Sequence, residues 1–366
     1  MSRNEALRRA FTRSMLHYVD DSRPGISRKR SGRFWQYFSG SGERIKDRDE
    51  IDRLNAIGMP PAYEKCWFCP DPQGHIQAVG WDAKGRKQYR YHPLFREQQE
   101  LLKYERLARF GHCLPKLRKR IEEDLTGKPT AKETVLAAVI RLIDETRMRV
   151  GNEEYAKTNK SFGATTLRNR HAKVGRGGLK ISYTGKHGVK RTVTITDRSL
   201  ARIARRTQDL PGQHLFEYET EEGCVCPVSS SDVNAYIKEA MGEEFTAKDF
   251  RTWGASVIAF EAMAKTAEKH GTVKLKSVIE PVAEALGNTP AISRKSYVHP
   301  AIIEAAKDAG ALGERTLPRS TQYMSRYERA LIDFLEALPA EEEKLATDED
   351  ARKASAAKLD GAAAAA

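Results

Sequence analysis

Apolar and polar positions alternate in the first third of the chain and follow a helical period through most of the rest. Alternating or aromatic runs bounded by turn residues predict strands over residues 34–38, 44–46, 65–69, 75–79 and 86–91. Short helices are predicted over residues 5–18, before a loop, and over 49–57, ahead of a glycine and two prolines. We therefore expect the N-terminal part to be an antiparallel sheet with short helices.

The later part of the chain is predicted to be mostly α-helical. Residues 95–125 have a charged helical pattern, with expected breaks at Gly111 and Pro115. Thr130 and Glu133 have the spacing of a capping box, and the nearly continuous apolar run after them predicts a helix inside the core. Further helices are predicted over residues 199–206, 231–241, 249–265 and 274–286, and within 318–338.

A small antiparallel sheet is predicted within the helical part, from strand-like segments at 164–167, 179–183 and 189–195, and a separate strand-like segment follows at 215–218. Its turn at 185–188 places Lys186 at a hairpin tip. The fold class is therefore α+β. We expect an N-terminal domain over 1–99 that includes a polar extension at 1–30, a larger mostly helical domain over 100–340, and a low-complexity tail over 341–366.

The charge distribution indicates a polyanionic partner. The formal net charge is +13, and residues 155–196 contain ten Lys/Arg and no Asp or Glu. This segregation favours a nucleic-acid-binding face over a merely solvated surface. No apolar run could span a membrane, no secretory apolar segment is present, and Glu5, Asp20 and Asp21 argue against a transit peptide. We therefore expect a cytoplasmic protein.

The five cysteines fit a reducing compartment, because their number is odd. Cys66 and Cys69 have metal-ligand spacing, but neither they nor the closer pair Cys224 and Cys226 have a matching set of partners. Burial as small apolar residues explains Cys66 and Cys69 as well as zinc does. No metal site is therefore predicted.

One predicted strand has side chains suited to DNA. Side chains of an extended strand alternate between two faces, so that Arg86, Gln88 and Arg90 point one way and Lys87, Tyr89 and Tyr91 the other. Two phenols and a cation could press against a duplex. A half-buried strand with an ordinary polar face fits the pattern equally well.

Three basic residues and one tyrosine each have two interpretations, as residues of a chemical site or as ordinary structural residues. Arg149 lies where a helix dipole favours a cation, Lys186 lies where lysines are usually solvated, and Tyr297 by its type is a packing residue. Arg251 differs, because a cation in the first turn of a helix is locally unfavourable. That conflict predicts a tertiary partner, either a buried salt bridge or an anion site.

Taken in order, these residues and their neighbours resemble a known family. The segments are Arg147–Gly151, Tyr183–Lys186, Lys248–Gly254 and Leu286–Tyr297. An arginine, a lysine, a second arginine, a polar donor and a tyrosine, each in its own local frame, resemble the type IB DNA topoisomerases, especially the small poxvirus-type enzymes and their bacterial relatives. The resemblance covers about residues 30–310 and implies the fold that this family shares with tyrosine recombinases.

The resemblance implies a role for each residue. Tyr297 attacks a DNA phosphodiester to form a 3′-phosphotyrosyl link, Arg149 and Arg251 hold the scissile phosphate, and Lys186 is the general acid. Asn288 stands where the poxvirus and eukaryotic enzymes have a histidine and the bacterial branch has asparagine. An asparagine can donate a hydrogen bond to a phosphate oxygen but carries no charge, so we expect it to matter less than either arginine.

Family likeness also implies the partners. The strand enters the major groove of double-stranded DNA, and the residues that contact DNA are Arg86, Lys87, Gln88, Tyr89, Tyr91, Tyr155 and Lys248. A monomer is expected to close on the duplex as a clamp, on the bacterial nucleoid. No cofactor is expected, because the covalent bond conserves energy without ATP, and the chain has no G-x-x-x-x-G-K-[ST] motif.

The proposed chemistry requires these residue types. In-line attack on phosphorus adds about one negative charge to the non-bridging oxygens, and each fixed cation or donor stabilises it by about 3 kcal/mol. Arginine matches two oxygens and keeps its proton. Lysine can protonate the leaving 5′ oxygen if its surroundings lower its pKa.

Two alternatives stay open. A tyrosine recombinase uses a similar arginine, lysine and tyrosine set, although its usual helical N-terminal domain differs from the aromatic, strand-rich one predicted for this chain. A DNA-binding protein with an inactive site is the other alternative.

Overall fold

The chain folds into two compact units, Met1–Arg106 and Leu107–Ala366, in a computed structural model that describes residues 16–270, 273–307 and 316–338. The functional boundaries near residue 99 and residue 340 stay a prediction. The tail 341–366 and most of the helix predicted over 5–18 lie outside the described residues. The described end of that helix is not helical, since His17 forms a β-bridge with Gly74.

In its described residues, from 16 onward, the first unit is an antiparallel sheet with two helices. Its strands have the spatial order β2-β1-β3-β4-β5 and are β1 Ile26–Ser31, β2 Phe34–Phe38, β3 Glu64–Phe68, β4 Ile76–Trp81 and β5 Lys87–Tyr91. The helices are α1 Arg48–Ala56 and α2 Pro93–Glu105. Tyr37, Leu54 and Phe68 lie in its core.

Two strand predictions in this unit were wrong. The residues of β1 are mostly polar and basic and were expected to form a loop. Backbone pairing with both β2 and β3 makes them a strand, in which only Ile26 is buried. The predicted return strand at 44–46 is only a single bridge between Phe38 and Arg44.

The second unit is mostly helical. Its helices are α3 Leu107–Asp124, α4 Lys132–Thr146, α5 Glu153–Asn159, α6 Arg198–Gln208, α7 Ser230–Met241, α8 Asp249–His270, α9 Leu275–Leu286, α10 Pro290–Ser296, α11 Pro300–Ala305 and α12 Arg326–Glu336. A three-stranded antiparallel sheet is formed by β6 Ala172–Gly175, β7 Gly178–Thr184 and β8 Lys190–Ile195, and a hairpin by β9 Glu217–Glu219 and β10 Val225–Pro227. The predicted α+β fold is thus confirmed.

α4 is the centre of this unit, as its apolar run predicts: every residue from Thr134 to Ile140 is buried. The capping box expected before it was wrong, because Ala131 is the N-cap and has no side-chain hydrogen bond. The hydroxyl of Thr130 instead donates to Glu219, at 3.4 Å.

Two further expectations about this unit were wrong. α3 continues through Gly111 and Pro115, and the glycine is needed because a Cβ there would lie 2.5 Å from the Trp253 ring. The segment at 164–167 is a 3₁₀ turn rather than a strand. Its Thr166 hydroxyl accepts the N–H of Gly163 at 2.9 Å, which closes the turn locally.

Candidate active site

Arg251 is the most buried of the predicted site residues. It lies in the first turn of α8, and the residue is only 4% exposed. Its guanidinium donates to the carbonyl oxygen of Arg147 and, at 3.3 Å, to that of Leu286. Burial and the neighbouring Arg149 lower the pKa of Arg251 to about 10, so that it remains a cation at neutral pH. The predicted alternatives were a buried salt bridge or an anion site. The hydrogen-bond partners in the described part of the chain are backbone carbonyls, so the salt bridge was wrong and the anion site stays a prediction.

Arg149 reaches the same place from the end of α4. That helix ends at Thr146, and Arg147 then adopts a left-handed conformation with φ 55°, which turns the chain. Arg149 is half-buried, and its Nη2 donates to Oδ1 of Asn288 at 3.2 Å. The first predicted arginine and the predicted polar donor are thus in direct contact.

Asn288 follows the glycine that ends α9. Gly287 has φ +63°, a conformation that glycine adopts without strain, and the backbone N–H of Asn288 donates back to Ala283 at 3.0 Å. Its Nδ2 is buried and has no hydrogen-bond partner among the described residues. An unpaired buried donor beside an arginine suits an anion.

Tyr297 directly follows α10. Its backbone N–H donates to Ser293 at 3.1 Å, and its carbonyl accepts from the Ser256 hydroxyl at 3.4 Å. The Arg251 guanidinium carbon lies 5.0 Å from the centre of its ring. Burial alone raises the pKa of the phenol, but Arg251 and Arg149 outweigh burial and lower it below the ordinary value. A phenol with a lowered pKa is a better nucleophile near neutral pH.

Lys186 lies in a 3₁₀ turn between β7 and β8 and is exposed. The turn is closed by the N–H of Gly185, which donates to Val189 at 2.8 Å. A cleft contains this lysine and both predicted arginines; it is lined by Arg149, Phe162, Tyr183, Gly185, Lys186, Val189, Arg191, Arg251, Leu286 and Gly287. Residues that are far apart in the sequence thus line one cleft.

Arg191 is a residue of this cleft that sequence reasoning missed. It is the cross-strand partner of Tyr183, and its Nη2 donates to the carbonyl of Ala285 at 2.7 Å. The only sequence signal was its membership of the acid-free segment, which does not distinguish it from nine other cations.

The predicted DNA-binding strand is β5, and its side chains alternate as expected. Arg86 and Gln88 both donate to Asp82, at 2.8 and 3.2 Å. On the other face, the Tyr89 and Tyr91 rings stack with their centres 5.8 Å apart. The Lys87 ammonium lies 5.2 Å from the Tyr89 ring and pairs with Asp21. Both tyrosines are partly exposed.

Asn288 and Tyr297 are not among the residues that line the cleft, and the remaining predicted positions also lie outside it. Tyr155 in α5 and Lys248 just before α8 are exposed, and neither is among the residues that line it. Cys69 is buried and Cys66 half-buried; among the residues that the structure describes, no group of three or more His, Cys, Asp or Glu could hold a metal ion. Within the same residues, no helix has the length and apolarity to cross a bilayer.

Comparison with known proteins identifies the class. Residues 92–322 match the catalytic core of eukaryotic DNA topoisomerase I, and residues 34–82 match the N-terminal domain of bacterial DNA topoisomerase IB. The chain belongs to the type IB DNA topoisomerases, which are isomerases acting on DNA. The resemblance read from the sequence is confirmed.

Particular relatives support the same assignment. The chain is 36% identical over 286 residues to DNA topoisomerase 1B of Acanthamoeba polyphaga mimivirus, and the aligned region covers 75% of this chain and 85% of the relative. It is 24% identical over 258 residues to DNA topoisomerase 1B of vaccinia virus (strain Copenhagen), covering 68% and 78%. Among solved structures, the XerH site-specific recombinase bound to palindromic difH substrate has a TM-score of 0.33 and 17% identity, covering 55% of this chain and 50% of that chain.

Proposed function

We propose that this topoisomerase relaxes supercoiled DNA by cutting one strand with Tyr297, allowing rotation and rejoining the ends. The observation that supports the proposal most directly is the pairing of the Tyr297 phenol with the Arg251 guanidinium, with Arg149 close enough to help lower the phenol pKa. A phenol packed only for stability has no need of two cations, and burying cations without carboxylates is costly.

In the proposed cleavage step, the Tyr297 oxygen loses its proton and attacks phosphorus. A bond forms between the phenol oxygen and phosphorus, and the bond to the 5′ oxygen breaks. Lys186 gives a proton to that leaving oxygen, which becomes a free 5′-hydroxyl. Arg149 and Arg251 stabilise the negative charge on the non-bridging oxygens, and the Nδ2 donor of Asn288 adds one hydrogen bond. Attack by the 5′-hydroxyl reverses each step and reseals the strand.

Each step exchanges one phosphoester bond for another, so the reaction requires no ATP. It requires no metal ion because cationic side chains are proposed to stabilise the developing charge. Plasmid relaxation is therefore expected to continue in EDTA without nucleotide. A strict requirement for a divalent cation would contradict the mechanism, because the cationic side chains are proposed to supply all of the charge stabilisation.

We further propose that double-stranded DNA lies against the acid-free segment of the second unit and against β5 of the first. The Lys87, Tyr89 and Tyr91 face of β5 offers a cation and two exposed rings, while Arg86 and Gln88 are supported by Asp82. Tyr155 and Lys248 extend the contact outside the cleft. Affinity is expected to fall steeply with salt, because phosphate contacts release counterions; a flat response would remove the acid-free segment from the interface.

The proposed working form is a monomer that closes on the duplex as a clamp. In it, residues 1–99 form the DNA-binding domain and residues 100–340 the catalytic domain. Asn288 and the match of residues 34–82 to the bacterial N-terminal domain support a bacterial enzyme, for which the nucleoid is the expected location. A DNA footprint restricted to one side of the helix would contradict the clamp.

Substitution Tyr297→Phe tests the central claim, because it removes only the hydroxyl and keeps the ring under Arg251. The variant is expected to bind duplex DNA normally and to form no covalent adduct on a nicked suicide substrate. The wild-type adduct, digested and sequenced, is expected to carry the DNA 3′ end on the peptide that contains Tyr297. Cleavage by the phenylalanine variant would place the nucleophile elsewhere.

A further inference from the structure

The C-terminal end of α9 is a meeting point for the elements of the cleft. The last four carbonyls of a helix have no partner inside it, and in α9 they belong to residues 283–286. The backbone N–H groups of Asn288 and Gly287 donate to the first two of them, at 3.0 and 3.2 Å, in the pairing of a Schellman motif. Only the carbonyls of Ala285 and Leu286 are left for other donors.

Two arginines from other elements take these two carbonyls. Arg251 of α8 donates to Leu286 at 3.3 Å, and Arg191 of β8 donates to Ala285 at 2.7 Å. The negative end of the helix dipole favours both cations. Since β8 follows directly after the turn that contains Lys186, Arg191 connects that turn to the end of α9.

Gly287 fits closely against the Arg191 guanidinium. A Cβ added to this glycine would lie 2.3 Å from Nη1 of Arg191, and the backbone φ of +63° also favours glycine. Nη2 of the same guanidinium donates to Ala285. One edge of the guanidinium is therefore held by the protein. This arrangement is typical of a residue that fixes local structure rather than of one that binds a ligand.

We propose that Arg191 is a positioning residue that holds the Lys186 turn against α9, so that the Lys186 ammonium meets the leaving 5′ oxygen. This inference rests on the proposed role of Lys186 as the general acid. Lys186 is exposed on a long flexible side chain, and the bond from Gly185 to Val189 fixes the turn only within itself. The bond from Arg191 fixes it to the neighbouring helix.

The test compares two suicide substrates, with oxygen or with sulfur at the scissile 5′ position. With oxygen, the phosphorus–oxygen bond breaks and the leaving group takes a proton from Lys186. With sulfur, the phosphorus–sulfur bond breaks and the thiolate leaves without a proton, because a thiol has a pKa of about 8.5. Arg191→Ala is expected to slow single-turnover cleavage of the oxygen substrate about 10- to 100-fold and to leave the sulfur substrate near the wild-type rate.

Other variants separate this role from general destabilisation. Lys186→Ala is expected to give the same pattern, and the double variant to be no slower than Lys186→Ala alone, because the second change acts through the first. Arg191→Lys keeps the charge and loses the planar fork, so it gives a smaller defect of the same kind and provides the test if Arg191→Ala does not fold.

Arg202→Ala is the matched control, because Arg202 makes the same kind of bond at another helix end: its Nη2 donates to the Leu125 carbonyl, just beyond α3, at 2.6 Å. Its rates with both substrates are expected to be those of the wild type. Equal slowing of both substrates by Arg191→Ala would overturn the inference, as would unchanged rates. If Lys186→Ala does not itself distinguish oxygen from sulfur, the proposed general acid is wrong and the inference fails with it.

Discussion

Replacing Arg251 by alanine is expected to slow cleavage and also to change how cleavage depends on pH. Arg251 is 4% exposed, and its guanidinium lies over the Tyr297 ring. In the wild type, burial raises the phenol pKa and the two arginines more than offset it. Without Arg251, only Arg149 opposes burial, so the pKa of Tyr297 rises.

The size of the effect follows from the two functions of Arg251. Loss of one preorganised donor to the transition state costs about 3 kcal/mol, which is roughly a hundredfold in rate. The higher phenol pKa lowers the reactive phenolate fraction further at neutral pH. The substitution also leaves the Arg147 and Leu286 carbonyls without this donor, a loss of about 1–3 kcal/mol of folding free energy.

Single-turnover cleavage from about pH 6 to about pH 9 measures both functions. The acid limb of the rate profile is expected to move to higher pH in the variant, and the ratio of wild-type to variant rates to narrow as the pH rises. Arg251→Lys keeps a charge but cannot reach both carbonyls. Its acid limb is expected to lie between those of the wild type and the alanine variant. Thermal unfolding monitors the folded fraction. An acid limb at the same pH in both proteins would refute the claim that Arg251 controls ionisation of Tyr297.

Three further variants test other parts of the molecule. Asn288→Ala is expected to slow cleavage about tenfold, less than loss of either arginine, since it removes one uncharged donor; a hundredfold loss in the same assay would contradict this order. Arg118→Ala leaves Glu328 buried without the guanidinium that donates to it at 2.8 Å, and is expected to lower the free energy of unfolding by about 3–5 kcal/mol in denaturant titrations. Arg118 helps to hold the pKa of Glu328 below its ordinary value against burial, so this stabilisation is present above the unfolded pKa of about 4.3 and is lost as the pH falls; a difference independent of pH would contradict the pairing. Joint replacement of Tyr89 and Tyr91 by alanine is expected to weaken duplex binding about tenfold, or about 1.4 kcal/mol, with the rate at saturating enzyme unchanged; unchanged affinity would remove this face from the interface.

Local patterns in the sequence predicted those parts of the fold that depend on one segment alone. The apolar run of residues 135–143 predicted the buried helix α4, and the two-residue period of β5 predicted which side chains share a face. Both follow from the geometry of a single helix or strand, so no knowledge of neighbours was needed.

Where the prediction failed, a neighbouring segment decides the structure. β1 has one buried residue out of six, and its pattern does not indicate a strand; hydrogen bonds to strands on both sides make it one. α3 has a glycine and a proline that ordinarily interrupt a helix, but the space at Gly111 is filled by Trp253 from α8. No local pattern contains the information that these partners exist.

The candidate site has a similar division between what sequence can and cannot reveal. Arg251 was recognisable because a cation in the first turn of a helix conflicts with the dipole, and the conflict required a partner. The partners are main-chain carbonyls, including that of Leu286, and every residue has a carbonyl. Which of them remain unpaired depends on where α9 ends and how Gly287 closes it, so an arginine such as Arg191, whose hydrogen-bonded partner is also a carbonyl, can be identified only from the fold.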